Sequence, residues 1–510
     1  MPRQRGAPAP IRTLVLDDFS GGWNPRDAFS QIADNESPDC LNITLDERGG
    51  VVKRLGMDRL GSGSGLSGSP KIMFYWQKTG DTIVQDGTAI KKTSDFVTFT
   101  TIKTYSTSAR AAFCDFQGKL VAVHPADKVS SYDGTTWTDH ATSPKGAAIA
   151  VWQNKVWVTA DPDNFSRVYA SNAGDPTVWT LASDYVDVRE KDNAPCTALG
   201  AGQGMDISGR AGLLVFKAHS VHRINDSRSG STFGQYTTLH NEAGAAGPLC
   251  VVSTQEGTIC FIGLDGIYIT NGVDQPVLAS TKLDPLFKST QVNFAQAANW
   301  CAGLFRDRVV FSLTRGSGQT TNNFMLELHP GLGWIVPHSI GLSAMTSFQT
   351  NDQQLYGASA TAGKCFQIFK GGADDGSAIT GRFSTRWFEP AGAYLMRMRR
   401  IRVEGRGDFQ IYTKADYTVG DGERADFITP PVAGVWGTSV WGLDEWGSDE
   451  FEVYNDFYSL GIAKTVSWVV SETSSTSTTG PKLLQDGGAP EVGAFGLYGI
   501  RLDFVRLGYA

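Results

Sequence analysis

Short apolar runs alternate along this chain with turns rich in Gly, Asn and Asp, and one arrangement of them keeps returning. In Phe116-Gln117-Gly118-Lys119-Leu120-Val121-Ala122-Val123 an aromatic residue closes one run, a tight turn follows, and a basic residue opens the next run. The same order recurs at Trp152-Gln153-Asn154-Lys155-Val156-Trp157-Val158 and Phe305-Arg306-Asp307-Arg308-Val309-Val310-Phe311. Looser copies lie at Tyr75-Trp76-Gln77-Lys78 before Thr82-Ile83-Val84, at Gly209-Arg210-Ala211-Gly212 before Leu213-Leu214-Val215-Phe216, at Gln255-Glu256-Gly257-Thr258 before Ile259-Cys260-Phe261, and at Phe348 before Gln354-Leu355-Tyr356. Each copy predicts a β-hairpin. One hairpin cannot bury its own face, whereas several small sheets stacked around an axis can. About seven copies, spaced roughly 35–60 residues apart, predict an all-β chain containing a β-propeller of about seven blades. A closed disc needs a strand from one end of the repeat to complete a blade begun at the other, and the pattern does not identify it.

The stretches on either side follow other rules. Before Lys71, Gly21-Gly22-Trp23-Asn24-Pro25 is turn chemistry, residues 34–39 suit the cap of a short helical turn carrying Cys40 and Leu41, and Asn42-Ile43-Thr44-Leu45 reads as a strand. A hairpin-like turn at Asp46-Glu47-Arg48-Gly49-Gly50 leads into a basic strand with Lys53 and Arg54, and the Gly/Ser run over 61–68 reads as a flexible tether. The expected organisation is therefore an N-terminal arm and tether over 1–68, a propeller over 69–375, and a C-terminal β-rich domain over 376–510. In the last of these, longer strands are expected over 379–388, 394–403 and 409–413. Trp436, Trp441 and Trp446 recur there at a five-residue step that fits neither a strand face nor a helix stripe. They read as a looping ladder, either docking on another chain or forming a local core. The Ser/Thr-rich run over 471–480 reads as an exposed loop or a strand tip ordered by a neighbour, and the alternation over 495–505 as a last strand.

Composition narrows the function. Lys and Arg number 45 against 52 Asp and Glu, a formal net charge of −7, which argues against a protein gripping nucleic acid along most of its surface. No apolar run reaches membrane-spanning length, and Met1-Pro2-Arg3-Gln4-Arg5 does not lead into a signal-peptide core, so folding in a cytoplasm is expected. The seven scattered cysteines, among them Cys114, Cys260 and Cys301 in apolar surroundings, fit reduced thiols.

Catalytic signatures are sparse. No Gly-rich loop ends in Lys-Ser or Lys-Thr at P-loop spacing, which speaks against nucleotide hydrolysis. His219 and His222 would point to opposite faces of a strand and have no Cys pair to join them, so packed histidines are favoured over a zinc site. Ser131-Tyr132-Asp133-Gly134-Thr135-Thr136-Trp137 resembles the Asp-box turns of sialidase-type propellers, which are structural even in enzymes. Asp374-Asp375-Gly376 reads as a plain turn more than as a calcium loop. Arg397, Arg399, Arg400 and Arg402, interleaved with Met396, Met398 and Ile401, form the most basic strand. It suits an edge strand, or one meeting carboxylates on a neighbour, better than a phosphate-facing patch.

Taken together, Gly21-Gly22-Trp23-Asn24, Asp34-Asn35-Glu36, Asn42 and Asp46-x-x-Gly49-Gly50-Val51-x-Lys53-Arg54-x-Gly56 resemble the opening of bacteriophage tail proteins of the nozzle, or tail-tubular-B, type from short-tailed phages. The likeness continues at residues 169–176, at Leu214-Val215-Phe216-Lys217, at Gly266-Ile267-Tyr268 and at Gly372-Ala373-Asp374-Asp375-Gly376. It implies a propeller-containing structural protein of the virion tail, assembled in the host cytoplasm as a hexameric ring below the portal-adaptor connector. DNA would pass along its channel without sequence-specific binding. Neither cofactor nor metal nor catalytic residue is expected. Candidates for subunit contacts are Trp23, Arg26, Lys53 and Arg54 in the arm, the three tryptophans Trp436, Trp441 and Trp446, and Arg397, Arg399 and Arg400. The competing expectations are a receptor- or glycan-binding tail component and a propeller glycoside hydrolase.

Overall fold

A computed structural model describes residues 10–46, 49–61, 65–205, 211–225, 236–254, 256–347, 354–392, 394–407, 409–417, 423–427, 453–458, 462–471 and 495–509. They divide into two compact units, one within Asp58–Gly333 and Ser339–Ile368, the other within Met1–Met57, Trp334–His338 and Phe369–Ala510.

The first unit is a β-propeller. Each recurrent hairpin supplies the two leading strands of its own sheet: Ile72–Trp76 with Asp81–Asp86, Ala112–Phe116 with Lys119–Val123, Ala148–Trp152 with Lys155–Thr159, and Cys196–Met205 with Ala211–Lys217. The series goes on with Val251–Ser253 and Ile259–Ile262, Cys301–Phe305 and Arg308–Leu313, and Leu342–Ser347 and Leu355–Ser359. Gln117 (φ 53°) and Gly118 (φ 73°) turn the second of these, and Gln153 (φ 48°) and Asn154 (φ 57°) the third. Two successive positive φ values match the right-handed twist of the strands they join. Asp115 Oδ1 accepts from the Gly118 amide at 2.9 Å and fixes the first of these turns.

The second strand of each hairpin is apolar on both faces because it lies between neighbouring sheets. In Lys119–Val123, Leu120 and Ala122 pack with Trp76, Ile83 and Phe113, while Val121 and Val123 pack with Val156 and Val158 of the next sheet. Full burial of such a Leu or Val contributes roughly 1.5–3 kcal/mol. Successive leading strands pack side by side, and Leu342–Ser347 returns to Ile72–Trp76, where the Tyr75 amide donates to Thr346 Oγ1 at 3.1 Å. The strand that completes the last sheet is Met57–Arg59, which pairs with Cys365–Ile368; just beyond it the Leu60 amide donates to the Cys365 carbonyl at 2.9 Å.

In the other unit two sheets share one core. The first runs in the order Val453–Tyr458, Tyr394–Arg406, Gly496–Tyr509, Val51–Lys53, Ile43–Leu45, with Ile11–Leu16 also on Gly496–Tyr509 and Ile462–Ala463 on Tyr394–Arg406. The second runs Cys40–Leu41, Arg382–Ser384, Val466–Ser471, Phe409–Ala415, Glu423–Phe427. Met396, Ile401, Leu497 and Ile500 of the first meet Phe383, Ile411, Trp468 and Val470 of the second.

Several expectations are corrected. The N-terminal stretch is not a separate arm: Ile11–Leu16 pairs with residues 500–505, and Val51–Lys53 with the start of the same strand. The partners that tie it into these sheets lie hundreds of residues away, so no local pattern betrays them. Cys40–Leu41 is a strand and not a helical turn, because it pairs with Arg382–Ser384. Of the span 379–388 only Arg382–Ser384 is a strand in a sheet. The arginine strand is not an edge. It pairs along its length with Gly496–Tyr509 on one side, and on the other with Val453–Tyr458 and Ile462–Ala463. A register shift between Met398 and Arg400 lets consecutive arginines share the face away from the core.

Two consequences can be measured. Gly118 has open space beyond a flexible lysine, Lys78, so strain alone is at issue there. Gly118→Val is expected to lower unfolding free energy by about 1–2 kcal/mol, and Gly118→Asn by clearly less, in urea melts. His222 is buried, hydrogen-bonded to Ser220 Oγ at 2.8 Å and Thr238 Oγ1 at 3.0 Å. Burial, then the cations Arg189 and Lys217, push its pKa down to about 4. A base whose folded pKa lies below its unfolded one leaves stability intact above pH ~6.5 and removes it as pH falls toward 4. His222→Gln should therefore flatten the loss of stability across that window by on the order of 2–3 kcal/mol, read from urea melts at successive pH values.

Candidate functional site

The residues that carry the resemblance are scattered in sequence, and those of the two-sheet unit are tied together by hydrogen bonds. The Gly21 amide donates to the Asn35 carbonyl at 2.9 Å, and Asn24 Nδ2 donates to Glu36 Oε2 at 2.6 Å. Asp46 Oδ1 accepts from the Gly50 amide at 2.6 Å and closes the hairpin that leads to Arg54. Arg54, wholly buried, donates through Nε to Asn42 Oδ1 at 3.0 Å and through both terminal nitrogens to Asp374, at 2.8 and 2.5 Å. Gly56 completes this join. A Cβ there would lie 2.1 Å from the Ala373 carbonyl oxygen, so only glycine lets the two segments touch. Asp374 is thus the partner of an arginine, within a hairpin whose turn residues Asp375 (φ 47°) and Gly376 (φ 83°) both have positive φ.

This placement changes the status of the candidate contact residues. Lys53 and Arg54 are buried inside their own unit, which corrects their reading as subunit contacts; a basic residue beside a hairpin looks exposed in sequence until its distant acid is known. Trp23 is half-buried, its Nε1 donating to the Pro38 carbonyl at 3.3 Å. Arg26 is exposed, with Asp27 at 3.6 Å. Arg397 and Arg399 are exposed, while Arg400 is half-buried and engages Asp503 on the neighbouring strand at 2.9 and 2.5 Å. Trp436, Trp441 and Trp446 lie outside the described residues, as does most of the Ser/Thr-rich run.

In the propeller, the leading strands surround an axial cavity of about 330 Å³ lined by such side chains as Met73, Phe113, Ile149, Leu249, Leu304 and Met345. Arg110, just ahead of Ala112–Phe116, reaches away from its own sheet. Its terminal nitrogens donate to the carbonyls of Ala298, Asn299, Trp300 and Ser343 at 2.9–3.3 Å. Sequence reasoning missed this crossbar; an arginine directly ahead of an inner apolar strand was its only signal.

The remaining motifs are structural. Asp133 Oδ1 accepts from the Thr135 and Thr136 amides at 2.7 and 2.8 Å, and Tyr132 stacks on Trp137, so the Asp-box-like turn closes an outer hairpin. All seven cysteines are free and buried, and burial raises the Cys260, Cys301 and Cys365 thiols to about 12. Among the described residues no three His, Cys, Asp or Glu side chains gather as a metal site requires, and no helix is long and apolar enough to cross a membrane.

No protein-family model and no curated protein matches the chain. Solved structures that it is similar to include PorZ, an essential bacterial surface component of the type-IX secretion system of Porphyromonas gingivalis, at 10% identity over 68% of this chain and 44% of that one, with TM-score 0.39. The chain thus matches less than half of PorZ. Others are the WD40 repeats of RRP9, at 9% identity over 62% of this chain and 100% of that one (TM-score 0.41), and U3-55K, at 8% over 62% and 98% (TM-score 0.42). These likenesses concern the fold alone.

Removing one partner of a buried ion pair strands the other. Asp374→Asn is accordingly expected to cost about 3 kcal/mol, seen as a lower urea midpoint with little change in slope. A loss under about 1 kcal/mol would mean that Arg54 is held by its other bonds.

Proposed function

We propose that the chain is a structural, non-enzymatic virion protein of a tailed bacteriophage, a ring subunit of the tail nozzle or tail tube. The observation that supports this most is the joining of Asn42, Arg54 and Gly56 to Ala373 and Asp374. Two pieces of the tail-protein resemblance more than 300 residues apart interlock as a structural fastening. The residues that carry it act in hydrogen bonding and packing, which suits a building block better than a catalyst.

In this reading the DNA path runs between subunits and not through the propeller axis, where the described residues leave only a small cavity and Arg110 bridges across. The work of the protein is then geometric: copies hold a ring in line with the connector, and an acidic surface keeps passing DNA from adhering. Arg397 and Arg399, exposed on the sheet face, are available for contacts between copies.

Electron microscopy of the purified full chain, with mass spectrometry of phage particles from the same source, tests the reading. Closed rings and incorporation into tails are expected. A monodisperse monomer that is absent from particles overturns it, and saturable glycan binding by such a monomer would favour the receptor-binding alternative.

A further inference from the structure

Beyond that role, we infer that the propeller carries a binding site for a small oxyanion, the phosphate or sulfate group of a ligand, in a cavity beside the leading ends of its inner strands. The cavity measures about 430 Å³ and is lined by Lys71, Arg110, Asn299, Thr320 and Thr321, among others. That volume lies within the range of small-ligand pockets. Every lining residue belongs to the propeller unit.

The charge balance of the cavity carries the inference. Lys71 and Arg110 are two cations sharing one recess whose lining holds no carboxylate. Among the described residues their side-chain hydrogen bonds go only to backbone carbonyls: Lys71 Nζ donates to that of Ser108, and Arg110 to the four carbonyls of its crossbar. Several buried or half-buried basic groups elsewhere among the described residues are answered by acids. Lys217 meets Asp192 at 2.7 Å, Arg308 meets Glu327 at 2.5 Å, and Arg54 meets Asp374. Among the described residues no acid pairs with Lys71 or Arg110, and the cost of holding two like charges together shows in Lys71, whose pKa is lowered by burial and then by Arg110. An anion in the cavity relieves both charges at once.

Donors are available to orient it. An ammonium has three N–H groups and Lys71 uses one, so two remain. The Thr320 and Thr321 hydroxyls line the same cavity and make no hydrogen bond among the described residues. Arg110 is held rigid by its carbonyls and acts as a fixed positive charge, while Lys71 and the two threonines supply the directional contacts. A group with several acceptor oxygens fits this set, whereas a metal cation would be repelled and a neutral sugar would leave the charges unanswered.

Isothermal titration of the full chain with inorganic phosphate, and separately with sulfate, at ionic strength held constant with chloride is the test. Saturable binding in the millimolar range or tighter is expected. Lys71→Gln should weaken it at least about tenfold, with thermal unfolding unchanged or slightly raised, since the substitution removes a desolvated like charge. Thr320→Val, at an exposed loop position, should weaken it less. Glycerol phosphate binding more tightly than inorganic phosphate would mark an ester as the natural ligand, and equal affinity would mark the free ion. Absence of saturable binding, or binding that Lys71→Gln leaves unchanged, overturns the inference. Either result leaves the ring assay untouched, because none of these residues takes part in the proposed contacts between copies.

Discussion

Closure of the propeller is the constraint on which the rest depends. A linear stack of these sheets would leave an apolar face bare at each end, and the strands apolar on both sides have no use for a wet face. The return of Leu342–Ser347 onto Ile72–Trp76 covers both ends with one contact, and Met57–Arg59 supplies the strand that the last sheet lacks. Loop closure over nearly 300 residues carries an entropic cost that grows only with the logarithm of length. Burial of whole strand faces outweighs it.

The local grammar of the sequence was sufficient for the hairpins, because an aromatic residue, a turn with positive φ and a two-sided apolar strand are all decided within eight residues. It was insufficient wherever a residue answers to something distant. Arg54 beside a glycine turn looked like a surface cation until Asp374, 320 positions on, came to it. The arginine strand looked like an edge because its charges suggested solvent, yet its other face contributes Met396, Met398 and Ile401 to a core and both of its edges are paired. Arg110 and Lys71 carried no motif at all; their meeting depends on ring geometry that joins sheets far apart in sequence.

Charge within the fold is handled in at least three ways among the described residues. Arg54 and Lys217 are neutralised by carboxylates, His222 is kept neutral by desolvation and by hydroxyl partners, and Arg110, half-buried, is held by carbonyl dipoles with no carboxylate partner among the described residues. The first two complete their account within the fold. The third leaves net charge in a recess, and for that reason the leading end of the propeller stands apart from the other interior sites.

The order of synthesis follows from the pairing of Ile11–Leu16 with the closing strand Gly496–Tyr509. At about 5–20 residues per second a ribosome emits the first strand long before its partner exists. During that interval the propeller strands up to Ile368 have all been made, while Ile11–Leu16 still lacks the strand with which it pairs. The sheet of the two-sheet unit therefore cannot be completed until Gly496–Tyr509 has emerged, and a chain released before then would carry a closed propeller and, in its other unit, a sheet with open edges, the kind of species on which chaperones and proteases act.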